Sequence, residues 1–269
     1  MVLPNRPDGT EHTPRVVAEL AAGRKTGAVW VNSSSGLTFQ LGEGAEREFL
    51  KWAPHGSGVD LAEEIQRLEW AGRFITVPRV LKRGADDEGS WFISAGLPGT
   101  TAVDDRWRQE PATAVREIGA GLRAMHDALP LDDCPFTRSA ESRVARARQA
   151  AADGKLDPRN WHEDHRHLTV ERALGLLADI PPVDKLVVCH GDSCAPNTLI
   201  GDDGRWIAHV DLGLLGVADR WSDLALATWS TGWNYGPGWT EPLLEAYGDR
   251  KSTRLNSSHS EISRMPSSA

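Results

Sequence analysis

Apolar and polar residues alternate over short stretches in the first part of the chain. Ala28–Asn32, Leu37–Leu41, Glu48–Ala53, Val77–Val80 and Trp91–Ala95 are separated by Gly-, Ser- and Asp-rich turns, a pattern that predicts five β-strands. The alternation breaks at Asp60–Ala71, where Leu61, Ile65, Leu68 and Ala71 recur at helical spacing behind Asp60 as N-cap. A shorter helix is predicted over Pro14–Ala22, following a loose, Pro-rich arm, Met1–Thr13. Leu97-Pro98-Gly99 then interrupts the chain and the period changes. Val115, Ile118, Leu122 and Met125 line one face of a helix over Pro111–Ala128, and two more helices are predicted over Ser139–Ala152 and Thr169–Ala178. The spacing therefore predicts an α+β fold with two lobes. Residues 1–96 form a β-rich lobe with a small antiparallel sheet, residues 97–248 a mainly helical one, and the hinge lies near Ser94–Gly99.

The pattern changes again between Leu186 and Asp223. Two apolar runs each end in a polar turn: Leu186–Cys189 leads into His190-Gly191-Asp192, and Trp206–Val210 leads into Asp211-Leu212-Gly213. Asp202-Asp203-Gly204 between them is a hairpin signal. Phosphoryl transfer asks a protein for a base aimed at the attacking hydroxyl, oxygen ligands for a metal ion on the phosphates, and a cation on the nucleotide. Asp192 on its tight turn suits the base. Asn197 and Asp211 offer oxygens of the kind Mg²⁺ accepts, and His190 is expected to brace the loop by hydrogen bonding. Upstream, Lys51 faces away from its neighbours Leu50 and Trp52 on a strand. A functional role for it needs a carboxylate partner, for which Glu64 is the choice and Glu63 the fallback. The small polar loop Asn32–Gly36 reads either as an ordinary hairpin turn or as a backbone cover for a phosphate.

The ordered set HxDxxxxN, a strand and DxG, preceded by a strand Lys and a helix Glu, resembles the aminoglycoside phosphotransferases, and within them the 3'-phosphotransferase (kanamycin kinase) branch. The likeness covers Val29–Gly248 and is carried by VVCHGDSCAPN, VDLGLLGVADRWSDLALA, the RLEWA segment before VPRVLKRGADD, and DDCPF at Asp132–Phe136. It implies a protein-kinase-like fold and ATP-dependent phosphorylation of an aminoglycoside hydroxyl, conferring antibiotic resistance. By the same resemblance Asp192 is the catalytic base, Asn197 and Asp211 hold Mg²⁺, and Lys51, paired with Glu64, contacts the ATP phosphates. Ser94 and Ala95 would meet the adenine, and Asp157, Asn160, Glu163 and Asp164 the aminoglycoside. Departures narrow the likeness: Leu214 stands where the family pattern DxGRxGxAD has Arg, and Ala195, Trp229, Trp233 and Asn234 stand where it often has charged side chains. Two alternatives follow, a kinase of another small sugar-containing or macrolide-like molecule, and an inactive, C-terminally truncated nucleotide-binding remnant.

Composition removes several other classes. A chain of 269 residues with 40% hydrophobic content supports buried cores. The net charge of -8 disfavours nucleic acid and anionic membranes as partners and favours cationic small molecules. Cys134, Cys189 and Cys194 show neither CxxC spacing nor a disulfide framework, which fits a cytoplasmic protein. No apolar run has the length of a membrane span, and a monomer or weak dimer is expected. A P-loop is excluded by the absence of GxxxxGK[ST]. Ser193 lacks a GxSxG elbow and Cys194 an activating base, and His162, His165 and His167 read as a solvated loop rather than metal ligands. Four of the 11 Trp fall between Trp221 and Trp239, either packing the helical lobe or facing the acceptor. After Gly248 the sequence turns Ser-rich, and Asp249–His259 resembles the translation of a common sequencing-library adapter in one reading frame. Residues 249–269 are therefore read as a non-native read-through tail, where the family implied by the resemblance continues with a helix and an acidic, aromatic terminus.

Overall fold

The computed structural model describes residues 13–32, 35–161 and 165–249. Its contacts divide the chain into two compact units, one made of the described residues up to Arg73 with Val77–Pro98, the other of Phe74–Thr76 with the described residues from Gly99 onward.

In the first unit, β1 (Thr26–Val31), β2 (Leu37–Leu41), β3 (Glu48–Pro54), β4 (Val80–Ala85) and β5 (Gly89–Ala95) form one antiparallel sheet in the order β1-β2-β3-β5-β4. Leu37, Phe39 and Leu41 of β2 alternate inward and meet Leu50, Trp52 and Ile93, and helix α1 (Arg15–Ala21) adds Val16 and Val17 to this core. Helix α2 (Leu61–Ala71) begins where predicted, because the Asp60 carboxylate accepts from Ala62 N–H at 2.9 Å and Glu63 N–H at 3.1 Å. The expected strand Val77–Val80 is corrected: residues 77–79 are irregular and the ladder starts at Val80. Pro78 has no N–H to donate, and the first bond of this edge is made by Arg79 O, which accepts from Ala95 N–H. Asn32 N–H donates to Gly36 O at 2.9 Å across the predicted turn, while Ser33 and Ser34 lie outside the described residues, as do residues 1–12 of the expected arm.

The second unit is built on α4 (Pro111–Ala128), with the bounds its apolar period predicts. Its inner face packs Val115, Ile118 and Leu122 against Trp107 of α3 (Asp105–Gln109), Trp221 and Leu224 of α7 (Trp221–Tyr235), and Leu243 and Tyr247 of α8 (Thr240–Tyr247). Gly119 permits the approach of α8: a Cβ there would lie 2.5 Å from Leu243 O. Ser139 and Thr169 cap α5 (Ala140–Ala152) and α6 (Val170–Leu177) through Ser142 N–H and Arg172 N–H. Strand β6 (Thr100–Thr101) pairs with β8 (Thr198–Ile200) and β8 with β9 (Trp206–His209), while β7 (Leu186–Cys189) pairs antiparallel with β10 (Gly216–Asp219). The Trp-rich segment divides its roles: Trp221 is buried and Trp239 packs on the core, whereas Trp233 is 44% exposed and stacks on Trp229 with centroids 4.3 Å apart. No helix among the described residues is long and apolar enough to cross a membrane.

His209 on β9 is 1% exposed, and burial holds its pKa down at about 3 against an ordinary 6.5. The unfolded chain therefore takes up this proton first, so the stability contributed by neutral His209 is complete above pH 6.5 and is lost as pH falls towards 3. Urea unfolding at a series of pH values is expected to show this decline in the wild type and a flatter one in His209→Phe. Equal slopes would remove His209 as its source.

Candidate active site

The strand pairs of the second unit deliver two loops to one place. β7 ends in His190-Gly191-Asp192, and β9 runs through Val210 into Asp211. His190, fully buried, ties them together: its Nε2 is 3.0 Å from Val210 O and its Nδ1 is 3.1 Å from Asp192 N. A neutral imidazole protonated on Nε2 satisfies both contacts, donating to the carbonyl and accepting from the amide. Gly191 has φ +86°, and a Cβ there would lie 2.2 Å from Leu214 O, so only glycine lets the two loops approach.

Within this frame Asn197 Nδ2 donates to Asp192 O at 2.9 Å and to its Oδ2 at 3.1 Å, leaving the amide oxygen facing elsewhere. Val210 N–H, on the residue before Asp211, donates to Asn197 O at 2.9 Å just beyond the end of the β8–β9 ladder. Asp211 itself adopts φ 63°, an unusual conformation for a residue with a side chain. Burial and then the charge of Asp211 push the Asp192 carboxyl above its ordinary pKa. The structure thus gathers Asp192, Asn197 and Asp211, as the sequence spacing predicts. Cys194 beside them is no nucleophile, since burial and then the Asp192 carboxylate push its thiol well up, and Ser193 Oγ is committed to Asp223 O at 2.8 Å.

Two residues that the motifs do not single out shape this loop. Asp223 on α7 is wholly buried: its Oδ2 accepts from His190 N–H at 2.6 Å and lies 3.0 Å from His126 Nε2, and its Oδ1 accepts from Gly191 N–H at 2.9 Å. His126 Nδ1 continues the network to the Tyr247 hydroxyl at 2.9 Å. The available signal was a carboxylate in the otherwise apolar turn WSDLALA, which on a buried helix requires donors. The second residue, Arg138, carries no such signal in the sequence.

In the first unit Lys51 Nζ donates to both oxygens of Glu64, at 2.9 and 2.7 Å. The fallback, Glu63, instead holds Arg67 at 2.9 Å across one turn of α2. Ser94 is buried on β5, and Ala95 N–H donates to Arg79 O at 2.9 Å. Asp157 caps a 3-10 turn and its carboxylate holds Arg159 at 2.6 Å. Glu163 and Asp164, together with the Asn160 side chain, lie outside the described residues, as does His162.

A fold of this kind, with a strand Lys paired to a helix Glu in one unit and an Asp, Asn and Asp set on the loops of the other, is that of a phosphotransferase acting on hydroxyl groups. The chain belongs to the phosphotransferase enzyme family, whose sequence pattern matches residues 31–256. It is 39% identical over 237 residues to an aminoglycoside 3'-phosphotransferase of Streptomyces fradiae, covering 82% of this chain and 87% of the relative. Among solved structures it is similar to an aminoglycoside-3'-phosphotransferase of type VIII, at 32% identity and TM-score 0.76, with 90% of this chain and 92% of the other covered. The aminoglycoside phosphotransferase APH(3'')-Id from Streptomyces rimosus follows at 25% identity and TM-score 0.75, covering 93% of this chain and 97% of its own. That protein has also been solved with ADP and streptomycin.

Proposed function

We propose that this chain transfers the γ-phosphate of ATP to a hydroxyl of an aminoglycoside in the cytoplasm, inactivating the antibiotic. The observation that carries the reading is the half-buried Asp192 held by Asn197 at 3.1 Å with the charge of Asp211 beside it. The relatives' activity and the net charge of -8 point to a cationic acceptor. Asp192 takes the proton of the acceptor hydroxyl while that oxygen forms its bond to the γ-phosphorus. The bond from phosphorus to the bridging oxygen breaks, and ADP leaves with its electron pair.

The donor set suits Mg²⁺. Asn197 keeps an amide oxygen outside its contacts with Asp192, and the repulsion between Asp192 and Asp211 is of the sort a divalent cation relieves. Asn197 and Asp211 would hold it, and it would neutralise charge on the phosphates. The first unit serves as the nucleotide-binding lobe, with Lys51, steadied by Glu64, on the phosphates and Ser94 and Ala95 at the adenine. Asp157, Asn160, Glu163 and Asp164 belong to the acceptor side of the helical lobe.

The direct test is ADP release from Mg-ATP in the presence of a panel of aminoglycosides. Acceptor-dependent release supports the reading, and its absence with every member of the panel rules out this acceptor class. Lys51→Met is expected to raise KM for ATP by about tenfold or more with the acceptor KM little changed. An unaltered ATP KM would take Lys51 off the nucleotide.

A further inference from the structure

The loops that carry Asp192, Asn197 and Asp211 contain no Lys or Arg: residues 190–197 read HGDSCAPN and residues 211–215 read DLGLL. Positive charge reaches them from the segment before α5. Val217 N–H donates to Phe136 O at 2.8 Å and Arg138 N–H donates to Val217 O at 2.9 Å, with Thr137 bridged in parallel to Val217. β10 is in turn paired with β7, the strand that ends in the Asp192 loop. The backbone of Arg138 is thus registered on the same strand pair that places Asp192.

The side chain crosses the loop itself. A Cβ on Gly191 would lie 2.8 Å from Arg138 Cδ, so the missing side chain at position 191 makes room for the arginine stem. Arg138 is only 7% exposed, and its guanidinium makes no direct hydrogen bond or ion pair among the described residues. Burial lowers its pKa, and the charges of Asp223 and then Asp192 oppose that shift. A buried cation without a direct partner is unfavourable unless nearby charge offsets it, and here the offset comes from the carboxylates that build the site.

We propose that Arg138 is a positioning residue for phosphoryl transfer, a fixed cation that holds the Asp192 carboxylate in its reacting orientation against the repulsion of Asp211. This rests on Asp192 being the base in the reaction proposed above. A charge fixed in advance by the fold needs no reorganisation when the hydroxyl loses its proton, so its effect falls on turnover rather than on binding.

The test compares Arg138→Met, which keeps much of the stem and removes the charge, with Arg138→Lys, which keeps the charge. ADP release from Mg-ATP is followed with an aminoglycoside and, separately, with water as the only acceptor, and folding is checked by thermal unfolding. Arg138→Met is expected to lower kcat by about tenfold or more with both KM values changed less than about threefold, and Arg138→Lys to recover most of the loss. A kcat for Arg138→Met within about twofold of wild type overturns the proposal. So does an equal loss in a folded Arg138→Lys, which would make the side chain a packing element. If Arg138→Met fails to fold, Arg138→Lys decides: near wild-type kcat supports the role of charge, and a large loss overturns it. Wild-type protein that hydrolyses ATP but phosphorylates no aminoglycoside overturns the acceptor class, and the Arg138 comparison is then read from hydrolysis. Protein that does neither overturns both readings.

Discussion

Asp192→Asn is expected to reduce kcat for acceptor phosphorylation by about 10³-fold, within the range found when a positioned general base is removed, while ATP still binds. The substitution preserves size and some of the hydrogen bonding with Asn197, whose Nδ2 reaches Asp192 O at 2.9 Å through the backbone and is indifferent to the side chain. It removes only the group able to take the proton. Partial burial makes the case sharp: the carboxyl already sits above its ordinary pKa because of desolvation and Asp211, so it is a better base than an exposed aspartate. Turnover measured alongside ATP-induced thermal stabilisation separates the two effects. Near wild-type turnover in the Asp192→Asn variant would assign the proton to another group.

Asp223→Ala is expected to have the largest effect on stability, lowering the free energy of unfolding by about 3–5 kcal/mol, because removing a buried acceptor strands its donors. Those donors are His190 N–H, Gly191 N–H and His126 Nε2, all bonded to a side chain with no exposed surface. Although burial opposes its ionisation, the hydrogen bond and charge of His126 hold the Asp223 pKa down at about 2. Its ionised form therefore contributes stability that is fully present above the ordinary 3.8 and is lost as pH falls towards 2. Denaturant unfolding near neutral pH and near pH 3 measures both effects. A variant with unchanged unfolding midpoint would show that the loop is held by its own turns rather than by α7.

Much of the candidate site is legible in the chain because its ingredients are local. His190, Asp192 and Asn197 lie on one short loop between two strands, so their order nearly dictates their proximity. The caps Asp60, Ser139 and Thr169 bond to amides two or three residues on, and the apolar stripe of α4 repeats at a spacing set by the backbone alone. α7 was less legible because its apolar residues surround most of the helix, which blurs the amphipathic stripe that reveals α4.

Sequence by itself determined the α+β division, the family, and the chemistry proposed for Asp192, Asn197 and Asp211, since each depends on residue type and short-range order. Only the tertiary structure decided which glutamate meets Lys51. Glu63 and Glu64 differ by about 100° around α2, and the packing of that helix turns Glu64 to the lysine and Glu63 to Arg67. It likewise started β4 beyond Pro78, and it brought Asp223 and Arg138 to the Asp192 loop from segments 31 residues after and 54 before. Such contacts join points far apart along the chain, and no local period or turn signal encodes them; they exist only once the strands have paired and the helices have buried their apolar faces.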